Sequence, residues 1–179
     1  EKSNFYLNLS DYLNPKFTLN SSLVAENFYL NGEYEKTKKV LKKFDTKYEF
    51  YYWFRVKKEA QIIIKKQGYE EGIEFISSKF NKIINPNVRI VFDVANFYKN
   101  SKKYEKAIKH YTEIISSLTI NSAIKSDLLY RRGGSYERLG NYQKADEDLK
   151  HSLKINPDDA YVLNYLAYSW LERDYKIDE

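Results

Sequence analysis

Pairs of small and bulky residues three positions apart punctuate the chain: Ala25 and Phe28, Ala60 and Ile63, Ala95 and Tyr98, Gly133 and Tyr136, Ala167 and Trp170. A period of 3.6 places both members of each pair on one helical face. After each of the first four pairs comes a short polar or Gly-containing break, and then Tyr34, Tyr69, Tyr104 or Tyr142 opens a second helix. Three residues on stands Thr37, Gly72, Ala107 or Ala145. Small residues on both helices let the two cross closely. The pattern predicts helix pairs over 18–31 and 34–45, 50–67 and 70–82, 88–100 and 104–117, and 124–139 and 142–155. A last first-type helix is expected over 160–173, and the end of an earlier second helix over about 3–12. Pro15, Pro86 and Pro157 fall between helices, where a proline closes one and precedes the next.

The same stretches are repeats of one another. GGSYERLGNYQKA at 133–145 returns as ANFYKNSKKYEKA at 95–107, AQIIIKKQGYEEG at 60–72 and AENFYLNGEYEKT at 25–37, the starts being 35, 35 and 38 residues apart. AYSWLERDYKIDE begins a fifth copy 34 residues after the fourth. A repeat of this length built from two helices predicts an all-α chain, an α-solenoid in which stacked pairs share a continuous core. The array is expected to fill 1–179 as one domain, with repeats at about 18–52, 53–87, 88–125 and 126–159, a partial copy at 160–179, and 1–17 ending an earlier one. The start at Glu1 and the stop inside a fifth copy suggest a piece of a longer protein.

Composition agrees. Apolar residues make up 42% and charged residues 31%, so neither a membrane-embedded nor an intrinsically disordered chain is indicated. Only 6 Gly and 3 Pro occur, too few for a turn-rich β or nucleotide-binding fold, and the 18 Tyr suit thin layers where few side chains are wholly buried. With no cysteine, disulfides, thiolate metal sites and cysteine nucleophiles are excluded. The charge of +5 is uneven: 11 basic and 4 acidic residues over 34–66, against 8 basic and 11 acidic over 126–179. The compartment is expected to be cytoplasm or periplasm, with any targeting segment outside this sequence.

Leu129, Gly133, Tyr136, Gly140, Tyr142, Ala145, Leu149 and Pro157 in the fourth copy, and Ala95, Tyr98, Tyr104, Ala107 and Tyr111 in the third, resemble the tetratricopeptide repeat family. The closing segment LNYLAYSWLERDYKIDE resembles the last repeats of bacterial members. Three positions depart from the pattern: Arg132 and Glu59 stand where an apolar residue is usual, and Gly72 replaces the usual Ala. About four extra residues near Thr119–Lys125 lengthen the third copy. The resemblance implies a right-handed superhelix whose first helices line a concave surface that binds a protein or peptide.

Taken by their place on each first helix, the groove candidates are Lys57, Gln61 and Lys65 in the second copy and Arg89, Phe92, Asn96 and Lys99 in the third. Asp127, Tyr130, Arg131, Gly134 and Arg138 follow in the fourth, and Tyr161, Asn164, Tyr165 and Tyr168 in the fifth. Arg and Lys pair with carboxylates, Asn holds peptide backbone, and aromatics bury apolar side chains. The aromatics could equally pack between repeats. Co-chaperone members of the family grip a terminal carboxylate with Lys and Asn residues. Here Gln61, Asp93 and Asp127 occupy three of those places, so that clamp does not fit.

No nucleotide-binding, zinc-protease or nucleophile-elbow motif occurs, and His110 and His151 fall on second helices. No catalytic residue, metal site or cofactor is expected, and the chain reads as a non-enzyme. Two other roles remain: a structural spacer or self-association module, and weak binding of nucleic acid or an acidic partner by the lysines between Lys36 and Lys47. Membrane insertion is not expected, and oligomeric state and partner identity are not encoded in any motif.

Overall fold

The computed structural model describes residues 2–14, 18–117 and 121–174. These residues form ten α-helices and no strand: α1 (Lys2–Leu13), α2 (Thr18–Leu30), α3 (Tyr34–Leu41), α4 (Glu49–Lys66), α5 (Tyr69–Phe80), α6 (Val88–Asn100), α7 (Tyr104–Ile115), α8 (Ser122–Arg138), α9 (Tyr142–Ile155) and α10 (Ala160–Leu171). They gather into two compact units, Glu1–Lys82 and Ile83–Glu179. The all-α helical-repeat class is the fold observed. Residues 119 and 120 of the expected insertion lie outside the described set, as do Pro15 and the last five residues.

Close approach works as the pattern required. Ala25, Ala60, Ala95, Thr37, Ala107 and Ala145 are all completely buried. At Gly133 an added Cβ would stand 3.1 Å from Leu149 Cγ and 3.2 Å from the Ala145 carbonyl, so α8 and α9 touch backbone to side chain there. Gly72 is explained by its neighbour: a Cβ would sit 2.2 Å from Ile64 Cγ1, so the usual Ala has no room against this Ile. Ala167 differs and is exposed, because no described helix pairs with that face of α10.

In the first unit, Val24, Ala25, Val40, Leu41 and Phe44 form a core flanked by Phe28, Tyr51 and Phe54. Lys58 is buried there; it is ion-paired to Glu26, and its ammonium lies 4.6 Å from the Tyr29 ring centre. The helix expected to run to 45 stops at Leu41. Phe44 turns inward, its ring 5.1 Å from Phe54 and 5.7 Å from Tyr51, and Asp45 accepts from the Lys47 amide at 2.9 Å; burial of one ring outweighs another helical turn. In the second unit, Leu149, Val162 and Leu166 carry one core cluster, and Tyr111, Leu128, Leu129 and Ile90 are also buried.

Helix ends are specified locally. Asn87, Asn121 and Asp159 cap α6, α8 and α10 by accepting from Ile90, Ile124, and Tyr161 with Val162. The Asn121 cap starts α8 two residues before the expected 124. Between paired helices, Gly32, Lys102 and Gly140 sit at φ 75°, 60° and 73°. The next amide reaches back to the bulky residue of each pattern, Phe28, Tyr98 or Tyr136, at 2.8–3.0 Å, a Schellman closure. Lys102 alone does this without glycine.

The pattern-breaking charges are paired. Arg132 donates from Nε and Nη2 to both oxygens of Asp148, each at 2.7 Å, and from Nη1 to Thr112 at 3.0 Å. Glu59 accepts from Arg55 at 2.8 Å one helical turn away.

Candidate functional site

Three first-type helices of the second unit, α6, α8 and α10, contribute side chains to a shared surface. Its middle is a polar and aromatic lattice. Asn96 Oδ1 accepts from the Tyr111 hydroxyl at 2.8 Å and from Arg131 Nη1 at 3.3 Å. Arg131 Nε donates to Asp127 at 2.8 Å, and its guanidinium lies 5.2 Å from the Phe92 ring centre. Burial alone would lower the Arg131 pKa, but the hydrogen bond and charge of Asp127 outweigh it and the net shift is upward. Burial pushes the Tyr111 hydroxyl well up, so it stays a donor to Asn96. Phe92, Asn96, Asp127 and Arg131 therefore hold one another, which fixes the surface and uses much of their bonding capacity.

Toward the C-terminal ends of these helices, Tyr130 and Tyr165 meet edge to face with centroids 5.7 Å apart. Tyr165 donates to Glu137 at 3.0 Å, and Glu137 is 3.5 Å from Arg138 Nε. Gly134 lies beside this pair: an added Cβ would be in ordinary contact with the Tyr165 hydroxyl at 3.4 Å. Burial, then the charge of Glu137, raises the Tyr165 pKa. Burial lowers the Lys99 pKa, and repulsion from Arg131 and Arg138 lowers it further against a smaller opposing effect of Asp127.

Clefts open between these elements. One of about 550 Å³ is lined by Ser126, Asp127, Tyr130, Arg131, Asn156 and Tyr161 among others. A second of about 150 Å³ is lined by Lys99, Asn100, Tyr104, Tyr130, Gly134, Arg138 and Tyr165. A third of about 230 Å³ takes in Arg138, Asn164, Tyr165 and Tyr168. Tyr161 and Tyr168 are 81% and 61% exposed, large rings held out in water. Arg89, at the start of α6, is exposed too.

The sequence candidates thus fall into three groups. Phe92, Asn96, Asp127, Tyr130 and Arg131 are brought together and interlocked; Lys99, Arg138, Tyr161, Asn164 and Tyr168 line clefts or face solvent around them. Lys57 and Gln61 belong to α4 in the first unit, where both are half-buried and Gln61 Oε1 is buried with no hydrogen-bond partner. Glu137 was not singled out by sequence, and Tyr104 was marked only as the residue that opens a second helix, not as a groove candidate. Glu137 follows the conspicuous Tyr136, but its bond to Tyr165, 28 residues on, leaves no local trace.

On the lysine-rich helix α3, Lys36 pairs with Glu33 and Lys38 with Glu35 at 3.4 Å, while Lys66 at the end of α4 reaches the same Glu35 at 3.1 Å. The hydrogen bonds from Lys66 and Lys38 hold the Glu35 carboxyl below its ordinary pKa. His110 stacks on Tyr98 at 5.7 Å with rings 5° from parallel and lies 3.4 Å from Glu113, a packed position; His151 is exposed. No helix among the described residues is long and apolar enough to cross a membrane.

Models of the tetratricopeptide repeat match residues 88–117 and 126–159. The chain is 31% identical to a 58 kDa phosphoprotein of Plasmodium berghei, over 59% of this chain and 24% of that protein. It is 29% identical to a TPR repeat-containing protein of Methanocaldococcus jannaschii, over 65% of this chain and 27% of that one. The chain thus spans about a quarter of the length of these relatives. Among solved structures, the Cut9–Hcn1 hetero-tetramer of APC/C matches with TM-score 0.64 and 17% identity over 97% of this chain and 33% of that chain. A MamA structure matches with TM-score 0.61 and 17% identity over 86% and 88%. At such identities the structural likeness speaks for the fold alone. Residues 88–117 and 126–159 are thus tetratricopeptide repeats, and the pairs before them resemble these in their small-residue crossings.

Proposed function

We propose that the chain is a scaffold that holds another protein or peptide on the surface shared by α6, α8 and α10. The observation that carries this reading is the row of open clefts there, floored by an interlocked lattice and rimmed by exposed Tyr161, Tyr168 and Arg138. A rigid floor spares a ligand the cost of ordering it, and Tyr and Arg are the residue types that dominate binding energy at interfaces. The matched tetratricopeptide repeats, a repeat type whose arrays bind proteins, support the same reading, and no site for chemistry is needed to account for these residues. On the lysine-rich face, Lys36 and Lys38 already have carboxylate partners, which leaves them less to offer phosphate.

The test is capture from native lysate of the source cells by the 179-residue chain, with bound proteins quantified by mass spectrometry. Arg138→Ala/Tyr161→Ala/Tyr168→Ala changes only side chains on the cleft surface, and Gln143→Ala/Glu147→Ala/Lys154→Ala is the matched set of exposed residues on α9. A protein retained by the parent and the α9 variant but lost by the folded cleft variant supports the scaffold. Equal retention by all three, or no specific retention, counts against it and in favour of a spacer.

A further inference from the structure

At the cleft formed by the C-terminal ends of α6 and α8, Lys99 is in electrostatic range of two other cations, Arg138, which also lines the cleft, and Arg131, which lies outside its lining. Both of these have carboxylates: Asp127 sits 2.8 Å from Arg131, and Glu137 sits 3.5 Å from Arg138. Lys99 has none at ion-pair distance among the described residues, although it is half-buried and faces two like charges. Asp127, which would repel an anion if free, is taken up by Arg131. Around Lys99 the walls are Tyr104, Tyr130 and Tyr165 with Gly134, so the space of about 150 Å³ is narrow, aromatic-sided and one negative charge short. That volume suits a single side chain and is too small for a nucleotide or a lipid headgroup with its chain.

We propose that this cleft receives the carboxylate of an Asp or Glu side chain from the bound partner, which pairs with Lys99 and Arg138 while its methylene stem lies against the tyrosine walls. The proposal rests on the scaffold reading and assigns it a ligand chemistry: an acidic segment with its charge on side chains. The lowered pKa of Lys99 agrees, since burial and neighbouring cations disfavour its ammonium until a counter-charge arrives. Arg138 supplies planar donors to the same carboxylate from the exposed rim.

The experiment measures binding of fluorescein-labelled hexaglutamate, with its C-terminus amidated so that only side chains carry charge, to the whole 179-residue chain; hexaglutamine is the neutral control. Hexaglutamate is expected to bind and hexaglutamine not. Lys99→Gln is expected to weaken hexaglutamate binding about tenfold, the effect of losing one charge-assisted contact, and Lys99→Arg to keep most of it. Lys102→Gln, which removes an exposed charge one turn away, is expected to change it less than about twofold. Lys99 in the parent chain should also become protected from acetylation when hexaglutamate is added, a readout that needs no variant to fold. Equal binding of hexaglutamine, equal loss in Lys102→Gln and Lys99→Gln, or no protection of Lys99 would overturn the proposal. If a cellular partner is lost by the cleft variant of the capture experiment but kept by Lys99→Gln, the scaffold stands and this assignment falls.

Discussion

Replacing Asp148 by Ala isolates the Arg132 guanidinium in the interface between α8 and α9. The Arg132 and Asp148 side chains are 16% and 9% exposed, and the charge loses two of its three hydrogen bonds, keeping only the one to Thr112. Breaking a buried pair from one side costs about 3–5 kcal/mol, and because the Thr112 end is exposed the lower figure applies, about 3 kcal/mol. Arg132→Leu leaves the Asp148 carboxylate stranded at similar cost. Arg132→Leu/Asp148→Leu removes the charge together with its partner and restores the apolar residue usual at 132 in the repeat pattern; it is expected within about 1 kcal/mol of the parent. Urea unfolding followed by circular dichroism measures all four proteins, and amide exchange in α8 and α9 localises the loss should the array unfold in stages. Costs below about 1 kcal/mol for Asp148→Ala, as for a surface pair, or a double variant less stable than either single one, would refute the reasoning.

Gly72→Ala is expected to be destabilising by about 1–2 kcal/mol despite better helix propensity, because its Cβ meets Ile64 Cγ1; in an Ile64→Ala background the same change should stabilise, as read by urea midpoints. Lys102→Gly, at φ 60° where two other copies use glycine, should stabilise by about 1 kcal/mol, and Gly140→Ala should destabilise by a similar amount. Lys99 has a folded pKa below its ordinary 10.5, so the folded state holds that proton more weakly than the unfolded state. The resulting cost is fully present at pH 7 and is relieved as pH rises through the folded value toward 10.5. Lys99→Gln should therefore melt higher than the parent at pH 7, with the gap closing toward pH 10 in paired thermal scans.

The helices were legible because their signals are local. Both ends of α6 and α9 coincide with the predicted 88–100 and 142–155, since Asn87, the opening Tyr142 and the turn at Gly140 act within a few residues. The short α3 was not legible, because what ends it is Phe44 finding Tyr51 and Phe54 on another helix. Arg132 stood out as a misfit in the repeat, but its partner lies 16 residues away on the facing helix and no pattern names it. The candidate surface shows the same division. Helical position placed Phe92, Asn96, Arg131 and Tyr130 on one face. That Asn96 and Arg131 are engaged with Tyr111 and Asp127, while Lys99 lacks a carboxylate, depends on side-chain geometry across three helices.

The most direct test of the scaffold reading is site-specific photo-crosslinking in the source cells, with a benzophenone amino acid in place of Tyr168 on the cleft surface or of Gln143 on α9. The account predicts a discrete cross-linked protein from position 168 and none from 143, with the product lost when Arg138→Ala/Tyr161→Ala is added. Cross-linking from 143 alone, or equally from both positions, would contradict it.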